Sequence, residues 1–200
     1  VGEYQNALFL ETIRILKQKN RDDVALVLVS LLPALGAGGT ELKTKPTQNA
    51  ARSLNAAGLQ PDIILGRASV PMDEKRKKNI EFMCNLDEGN AISAPDVAHI
   101  YQVPINFERE GLSTKLLAKL KVKPKKRNGA DWRALVKRIN ACKKSVQIGL
   151  VGKYFSTGNF MLADSYISVI EAMKHAAYAV GRKPVIEWLN AEELEGEKKQ

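Results

Sequence analysis

Apolar residues along the chain recur either at helical spacing or in short unbroken runs. Residues 8–17 carry them at helical spacing, which predicts an amphipathic helix. Residues 23–32 are nearly all Val, Leu and Ala, which is typical of a strand buried on both faces. Shorter apolar runs at 62–65 and 91–93 each follow a helical segment. This order predicts right-handed crossovers and a doubly wound α/β fold built on a parallel sheet.

A second strand–helix–strand pattern follows a basic segment and an amphipathic helix. Residues 146–151 form an apolar strand, residues 165–180 have helical spacing, and residues 184–188 return as a strand, which predicts a βαβ unit. About 55 residues are too few to close a doubly wound sheet, so we expect an incomplete second domain and a chain that is a fragment. The predicted parts are a first α/β domain at 1–121, a linker and helix at 122–144, and a second domain at 145–200.

Charge and composition indicate which kinds of ligand the protein binds and where in the cell it is found. The 200 residues carry a net charge of +9 and the pI is about 9.5, which suits polyanions such as nucleotides or nucleic acid. The longest apolar run, 24–36, is too short to span a bilayer and no signal peptide opens the sequence, so we expect no membrane association. Cys84 and Cys142 lack metal-ligand spacing and are expected to be free thiols of a cytoplasmic protein.

The candidate chemistry lies where the first long strand leads into a helix. Proline is favoured in a first helical turn, because its missing N–H would be unpaired there anyway. The other N–H groups of that turn and the helix dipole favour an anion, and two lysines add positive charge. A phosphate chain is the natural ligand at the carboxyl end of a parallel strand, and the alternative is a solvated basic loop. The stretch consists of Lys43, Thr44, Lys45, Pro46, Thr47 and Gln48.

A second cationic region, called here the basic cluster, covers residues 115–127. It holds seven Lys or Arg residues and no acid. The functional interpretation is a nucleic-acid-binding module, and the alternative is a solvated linker. No aromatic residue is interleaved to stack on bases, so we favour the linker and expect no nucleic-acid partner.

The stretch at 43–48, read with its surroundings, resembles CTP synthase. Its sequence is Lys-Thr-Lys-Pro-Thr-Gln, and the second domain opens with a matching Gly-Leu-Val-Gly-Lys-Tyr at 149–154. The matches cover nearly the whole chain and keep the order of the family. They lie at 1–6, 9–11, 43–48, 58–64, 73–77, 84–85, 92–93, 96–97, 100–101, 103–104, 149–154, 164–166, 168–172 and 174–175.

The resemblance implies a two-part ligase. A P-loop-type synthetase domain, truncated here, would use ATP and Mg²⁺ to phosphorylate the 4-oxygen of UTP, and ammonia would displace the phosphate to give CTP. The beginning of a class I glutamine amidotransferase domain would follow, whose complete form supplies the ammonia from glutamine. Members of this family are homotetramers that GTP activates and CTP inhibits, so the expected ligands include GTP and CTP.

Residue by residue, the resemblance assigns three short segments to nucleotides. The 43–48 stretch matches the one that binds UTP, and CTP as inhibitor, and lysine charges suit a triphosphate. A second segment matches the family's contact with CTP, and a third lies beside the ATP base, where backbone contacts matter more than side chains. The assigned residues are Lys43, Thr44, Lys45, Pro46, Thr47 and Gln48 for UTP and CTP, Glu3, Tyr4 and Gln5 for CTP, and Asp96 and Val97 for ATP.

The chain departs from the family pattern within these segments. Asn79 stands where the family usually has another UTP-binding lysine, and neighbouring lysines on the same helix point elsewhere. Either nucleotide affinity differs from the family norm or the helix register is shifted. A third class of hypothesis is a catalytically inactive paralogue, which Asn79 and Gln5 alone support. The departures are Asn79 for lysine with Lys77 and Lys78 nearby, Gln5 for glutamate, Met83 for an aromatic residue and Asn49 for histidine.

No catalytic residue and no metal ligand is assigned to this chain. The glycines at 36–39 lack the Gly-Lys-Ser/Thr ending of a P-loop, and we expect the Mg²⁺ carboxylates upstream of Val1. Neither Cys84 nor Cys142 has glycines on both sides, so we expect the amidotransferase nucleophile beyond Gln200. We therefore predict that these 200 residues alone form no CTP.

Overall fold

The computed structural model describes residues 4–36, 41–125, 129–153, 156–157, 160–161 and 163–191. The chain divides into two compact units, Val1–Arg127 and Asn128–Gln200, and each is described by itself. The division falls inside the segment that the sequence predicts as a linker, while its helix belongs to the second unit. None of the helices in the described ranges has the length and apolar character that crossing a bilayer requires.

The first unit alternates helices and strands from its first turn onward. A 3-10 turn at Tyr4–Asn6 leads into α1, and a second one, Ile100–Gln102, precedes α4. The helices are α1 Ala7–Lys19, α2 Lys45–Ala56, α3 Glu74–Met83, α4 Val103–Arg109 and α5 Leu112–Lys119. The strands are β1 Val27–Leu31, β2 Ala34–Leu35, β3 Glu41–Leu42, β4 Ile63–Ala68 and β5 Ala91–Pro95.

Three strands form the central sheet, in the order β1-β4-β5, and all pair in parallel. Leu31 lies opposite Arg67, and Arg67 lies opposite Ala94, so the carboxyl ends of the three strands share one edge. The predicted parallel α/β sheet is therefore confirmed. The short β2 and β3 pair antiparallel beside it, a ladder that the apolar pattern did not predict.

Helices cover the sheet on both faces. On one face α1, α2 and α3 pack against a cluster that includes Leu28, Leu54 and Ile80. On the other face, Ile63, Leu65 and Ile92 form a second cluster with side chains of α4 and α5. Successive side chains of a strand point to opposite faces, so a strand buried on both sides needs an unbroken apolar run. β4 and β5 follow this rule. β1 buries only Leu28 and leaves Val29 61% and Leu31 65% exposed, so the prediction of a strand buried on both faces at 23–32 is wrong for β1. The reason is that the second cluster reaches β1 only at Val27.

The second unit is a strand–helix–strand unit preceded by a helix. β6 and β9 pair in parallel along their full length, from Lys144 opposite Arg182 to Gly152 opposite Asn190. The predicted βαβ pattern is present, while a short antiparallel pair replaces part of the predicted polar loop. The elements are α6 Ala130–Ala141, β6 Lys144–Gly152, β7 Ser156–Thr157, β8 Phe160–Met161, a 3-10 turn Ala163–Tyr166, α7 Ile167–Ala179 and β9 Arg182–Asn190.

Candidate functional site

The lysine stretch opens α2 at the carboxyl end of β1. Thr44 is the residue at the N-terminal cap of α2, and its carbonyl accepts the Gln48 N–H at 3.0 Å. The Thr47 side chain is 0% exposed, its Oγ1 lying 2.9 Å from Ser30 Oγ and 3.4 Å from the Leu31 carbonyl oxygen. Thr47 therefore fastens α2 to β1, and its hydroxyl holds the helix start in place.

Asn79 closes a ring of hydrogen bonds with the first turn of α2. Gln48 Nε2 donates to Thr44 Oγ1 at 3.1 Å and to Asn79 Oδ1 at 3.1 Å. Thr44 Oγ1 donates to the same Asn79 oxygen at 3.0 Å. The Asn79 oxygen is an acceptor, which the ammonium of a lysine could not replace. Asn79 thus contacts the first turn of α2 directly.

The two lysines of the stretch have different surroundings. Lys43 forms an ion pair with Glu41, and its backbone N–H donates to the Pro33 carbonyl at 2.9 Å. The hydrogen bond from Lys43 is the main reason that the pKa of Glu41 lies below its ordinary value. Lys45 is exposed, as is Pro46 beside it, and no ion pair of Lys45 occurs among the described residues. One ammonium group is therefore open to a ligand, while the other is already paired.

Lys77 does not supply the charge that Asn79 lacks. Its Nζ lies 2.9 Å from Glu110 and 3.2 Å from Glu74. Partial burial opposes its charge, but the hydrogen bonds to Glu110 and Glu74 outweigh that effect and raise the pKa of Lys77. Lys78 lines the same charged cavity as Lys77. Both lysines therefore point away from the α2 start, as helical geometry predicts.

The segment assigned to ATP lies at the same edge of the sheet. Asp96 follows β5, its backbone N–H donates to the Ala68 carbonyl at 2.9 Å, and Val97 beside it is half-buried. The Asp96 carboxylate accepts from Arg67 Nη2 at 2.7 Å, and Arg67 Nη1 donates to the Ala94 carbonyl at 3.2 Å. The ion pair fixes the backbone just after β5, where a ligand of a parallel sheet binds.

The segment assigned to CTP is only partly described. Glu3 lies outside the described residues. Tyr4 and Gln5 form the 3-10 turn before α1, and the Tyr4 side chain is 84% exposed. Among the described residues, neither takes part in the hydrogen-bonded ring around Asn79. No hydrogen bond or ion pair joins these two residues to the lysine stretch in the described part of the chain.

Several side chains at the site were not assigned from the sequence: Ser30, Glu41, Arg67 and Arg76. Arg76 lies three residues before Asn79, and that helical spacing was a usable signal, because such residues share a face. No spacing rule connects Glu41 with α3, since their approach depends on tertiary packing. The ion pair of Arg67 with Asp96 likewise appears only once β4 and β5 are side by side.

Three cations of the basic cluster bind protein groups. Lys115 Nζ donates to the Glu110 carbonyl at 2.8 Å. Lys119 Nζ lies 2.8 Å from Asp62, and Lys121 Nζ lies 2.6 Å from Asp22. Residues 126–128 lie outside the described ranges. These three ammonium groups of the basic cluster are therefore already bound to groups of the first unit.

A family model described as CTP synthase N-terminus matches residues 1–122. The chain is 39% identical over 196 residues to a CTP synthase of Methanococcus maripaludis, covering 98% of this chain and 36% of that protein. It is 39% identical over 196 residues to a CTP synthase of Pyrococcus furiosus, covering 98% and 35%. For a CTP synthase of Rippkaea orientalis the identity is 37% over 196 residues, covering 98% and 35%.

The chain thus spans about a third of the length of the curated relatives that it matches. The match covers the lysine stretch, the helix that carries Asn79 and the segment after β5. Identity extends through the second unit as well. The chain belongs to the CTP synthase family.

Proposed function

We propose that this chain carries part of the UTP and CTP site of a CTP synthase, a ligase that aminates UTP in an ATP-dependent reaction with ammonia from glutamine. The observation that carries the proposal is the placement of Lys43 and Lys45 at the start of α2, beside the carboxyl end of β1. A phosphate chain at that point meets two ammonium groups and the unpaired N–H groups of a first helical turn.

The first turn of α2 is held rigid before any nucleotide arrives. Thr47 fixes it to β1, and the ring of Thr44, Gln48 and Asn79 fixes it to α3. A pre-ordered site loses less entropy on binding than a loop that must first become ordered. This supports a role for Thr44, Thr47 and Gln48 in positioning, with Lys43 and Lys45 carrying the charge.

ATP is proposed to bind along the same edge, with Asp96 and Val97 beside its base. Mg²⁺ is implied as the partner of ATP, but in the described ranges no group of three or more His, Cys, Asp or Glu side chains is placed to hold a metal ion. These residues therefore do not fit a metal site, and we derive no step through one. Phosphate transfer needs further groups, so the chain alone is proposed to form no CTP.

The second unit is proposed as the beginning of a class I amidotransferase domain that acts on glutamine. Its βαβ order and its identity to the relatives support this. Neither thiol is proposed as its nucleophile, since neither Cys84 nor Cys142 has glycines on both sides. Burial also raises the pKa of the Cys84 thiol, which lowers its reactivity. A homotetramer, activation by GTP, inhibition by CTP and a cytoplasmic location are proposed on the resemblance alone.

Calorimetric titration of the full chain with UTP tests the nucleotide site. Replacing both Lys43 and Lys45 by alanine is expected to weaken UTP binding by at least about tenfold, because each charged hydrogen bond contributes roughly 1.5 kcal/mol or more. The matched control replaces Lys123 and Lys125, two exposed lysines of the basic cluster, and is expected to leave binding unchanged. Equal losses in both double variants would reject a specific site at α2.

A further inference from the structure

One face of α3 contacts the chain on both sides of Lys43. Arg76 lies one helical turn before Asn79, so the two side chains share a face. Asn79 reaches the first turn of α2, and Arg76 Nε donates to the Leu42 carbonyl at 3.1 Å. The guanidinium of Arg76 is therefore held next to the backbone that carries Lys43.

Asp73 holds Arg76 in that place. One carboxylate oxygen of Asp73 caps α3 by accepting the Arg76 N–H at 2.7 Å, and the other binds Arg76 Nη1. A guanidinium has further N–H groups in a planar fork that matches a phosphate group. After its bonds to Asp73 and Leu42, Arg76 keeps donors for a second anion.

Glu41 brings a carboxylate to the same cations. It binds Lys43, and the hydrogen bond from Lys43 and then the Lys43 charge hold the pKa of Glu41 below its ordinary value, with a smaller contribution from the Arg76 charge. Glu41 is consequently ionised at neutral pH. A carboxylate paired with an ammonium group and close to a guanidinium has the charge surroundings that a phosphate group prefers.

We propose that Arg76 and Glu41 set the affinity of the site for the phosphate tail of a nucleoside triphosphate. Arg76 supplies the third positive charge of the site, where Asn79 has none to offer. Glu41 occupies Lys43 in the absence of nucleotide, and the phosphate tail displaces it. This inference rests on the proposed function, since it assigns further specificity residues to the same nucleotide site.

The neighbouring cations of α3 do not face the lysine stretch. Lys77 is bound by Glu110 and Glu74 on another face of the helix. Lys75 is exposed and one position away from Arg76, so it points in a different direction. Lys75 therefore gives a matched control, which removes the same charge from the same helix without touching the site.

Calorimetric titration of the full chain with UTP and, separately, with inorganic tripolyphosphate tests the proposal. Arg76→Ala is expected to weaken the binding of both ligands about tenfold. Arg76→Lys is expected to weaken it less, because a lysine keeps the charge but loses the planar fork. Glu41→Gln is expected to tighten the binding of both ligands about threefold, since the competing carboxylate is gone. Lys75→Ala should leave the affinity for both ligands unchanged.

The outcomes separate this inference from the function on which it rests. If Arg76→Ala behaves like Lys75→Ala and Glu41→Gln tightens nothing, the inference is overturned, while loss of UTP binding in the Lys43/Lys45 variant still supports the function. If Arg76→Ala weakens the binding of tripolyphosphate but UTP binds no more tightly than tripolyphosphate, the result supports an anion site at Arg76 and rejects the proposed nucleotide-binding function. Should Arg76→Ala lower the melting temperature, Arg76→Lys and the exposed Glu41→Gln decide the question.

Discussion

The two parallel sheets of this chain differ in how well their strands are covered. In the first unit every residue of β4 is buried except Arg67, and β5 is buried from Ala91 to Ala94. In the second unit β6 buries only Leu150 and Gly152, and no residue of β9 is fully buried. The first sheet has helices on both faces and three strands, and the second has two.

This difference explains where a preorganised site can be built. The lysine stretch and the residues Asp96 and Val97 stand at the carboxyl ends of β1 and β5 or on the helix packed beside them. Buried strands fix the positions of such groups within the tolerance that binding needs. A two-stranded sheet is marginal by itself, so the corresponding edge of the second unit offers a less rigid frame.

The largest expected effect compares one buried and one half-exposed aliphatic residue. Ile64→Ala in β4 removes a side chain that is 0% exposed and is expected to cost about 2–5 kcal/mol. Val185→Ala in β9, at 45% exposure, is expected to cost less than about 1 kcal/mol. Hydrogen exchange followed by mass spectrometry on peptides from each unit, combined with urea unfolding, measures both. Similar losses of unfolding free energy in the two variants would show that the two sheets are equally well packed.

A glycine in each sheet gives a second, smaller contrast. A Cβ on Gly66 would lie 2.6 Å from Leu32 Cδ1 and 2.9 Å from Met72 Cε, and both side chains are buried. Gly66→Ala is therefore expected to cost about 1–3 kcal/mol, as overpacked cores do. A Cβ on Gly149 would meet only the partly exposed Leu189, whose Cδ1 lies 3.0 Å away and can turn outward.

Urea unfolding of the two variants measures this pair. We expect Gly149→Ala to shift the midpoint little, because the flexible end of Leu189 moves instead of the backbone. A Gly149 variant that is as unstable as the Gly66 variant would show that the second sheet is as tightly packed as the first.

The sequence predicts β4 and β5 well, because both faces of these strands are buried and each therefore carries an apolar run. It also predicts the α2 start, since a proline and a strand end mark it. It misses the β2–β3 ladder, because a strand of two residues is too short to show an alternating pattern of apolar and polar positions. It misses Arg76 as a partner of the lysine stretch, because only the packing of α3 brings it there. Glu41 is two residues from Lys43, and its ion pair with Lys43 was not predicted.

The smallest expected effect compares a buried with an exposed acid of the first unit. The side chain of Asp62 is 8% exposed and binds Lys17, Lys119 and the Leu26 N–H. Burial raises its pKa, but these hydrogen bonds outweigh burial, so the pKa of Asp62 lies below its ordinary value of about 3.8. Asp22, whose side chain is 62% exposed, makes a single pair with Lys121.

A carboxylate with a lowered folded-state pKa stabilises the fold above its unfolded pKa, and this contribution is lost as the pH falls through the folded value. Asp62→Asn is therefore expected to cost about 1 kcal/mol at pH 7, and the gap to the unmodified chain should begin to narrow below about pH 4 and close as the pH falls through the lowered folded-state pKa. Asp22→Asn is expected to change stability by a few tenths of a kcal/mol at most, since exposed ion pairs contribute little. Urea unfolding from pH 7 down to about pH 2 measures both variants, and a gap for Asp62→Asn that does not narrow below about pH 4 would mean that the loss comes from packing rather than charge.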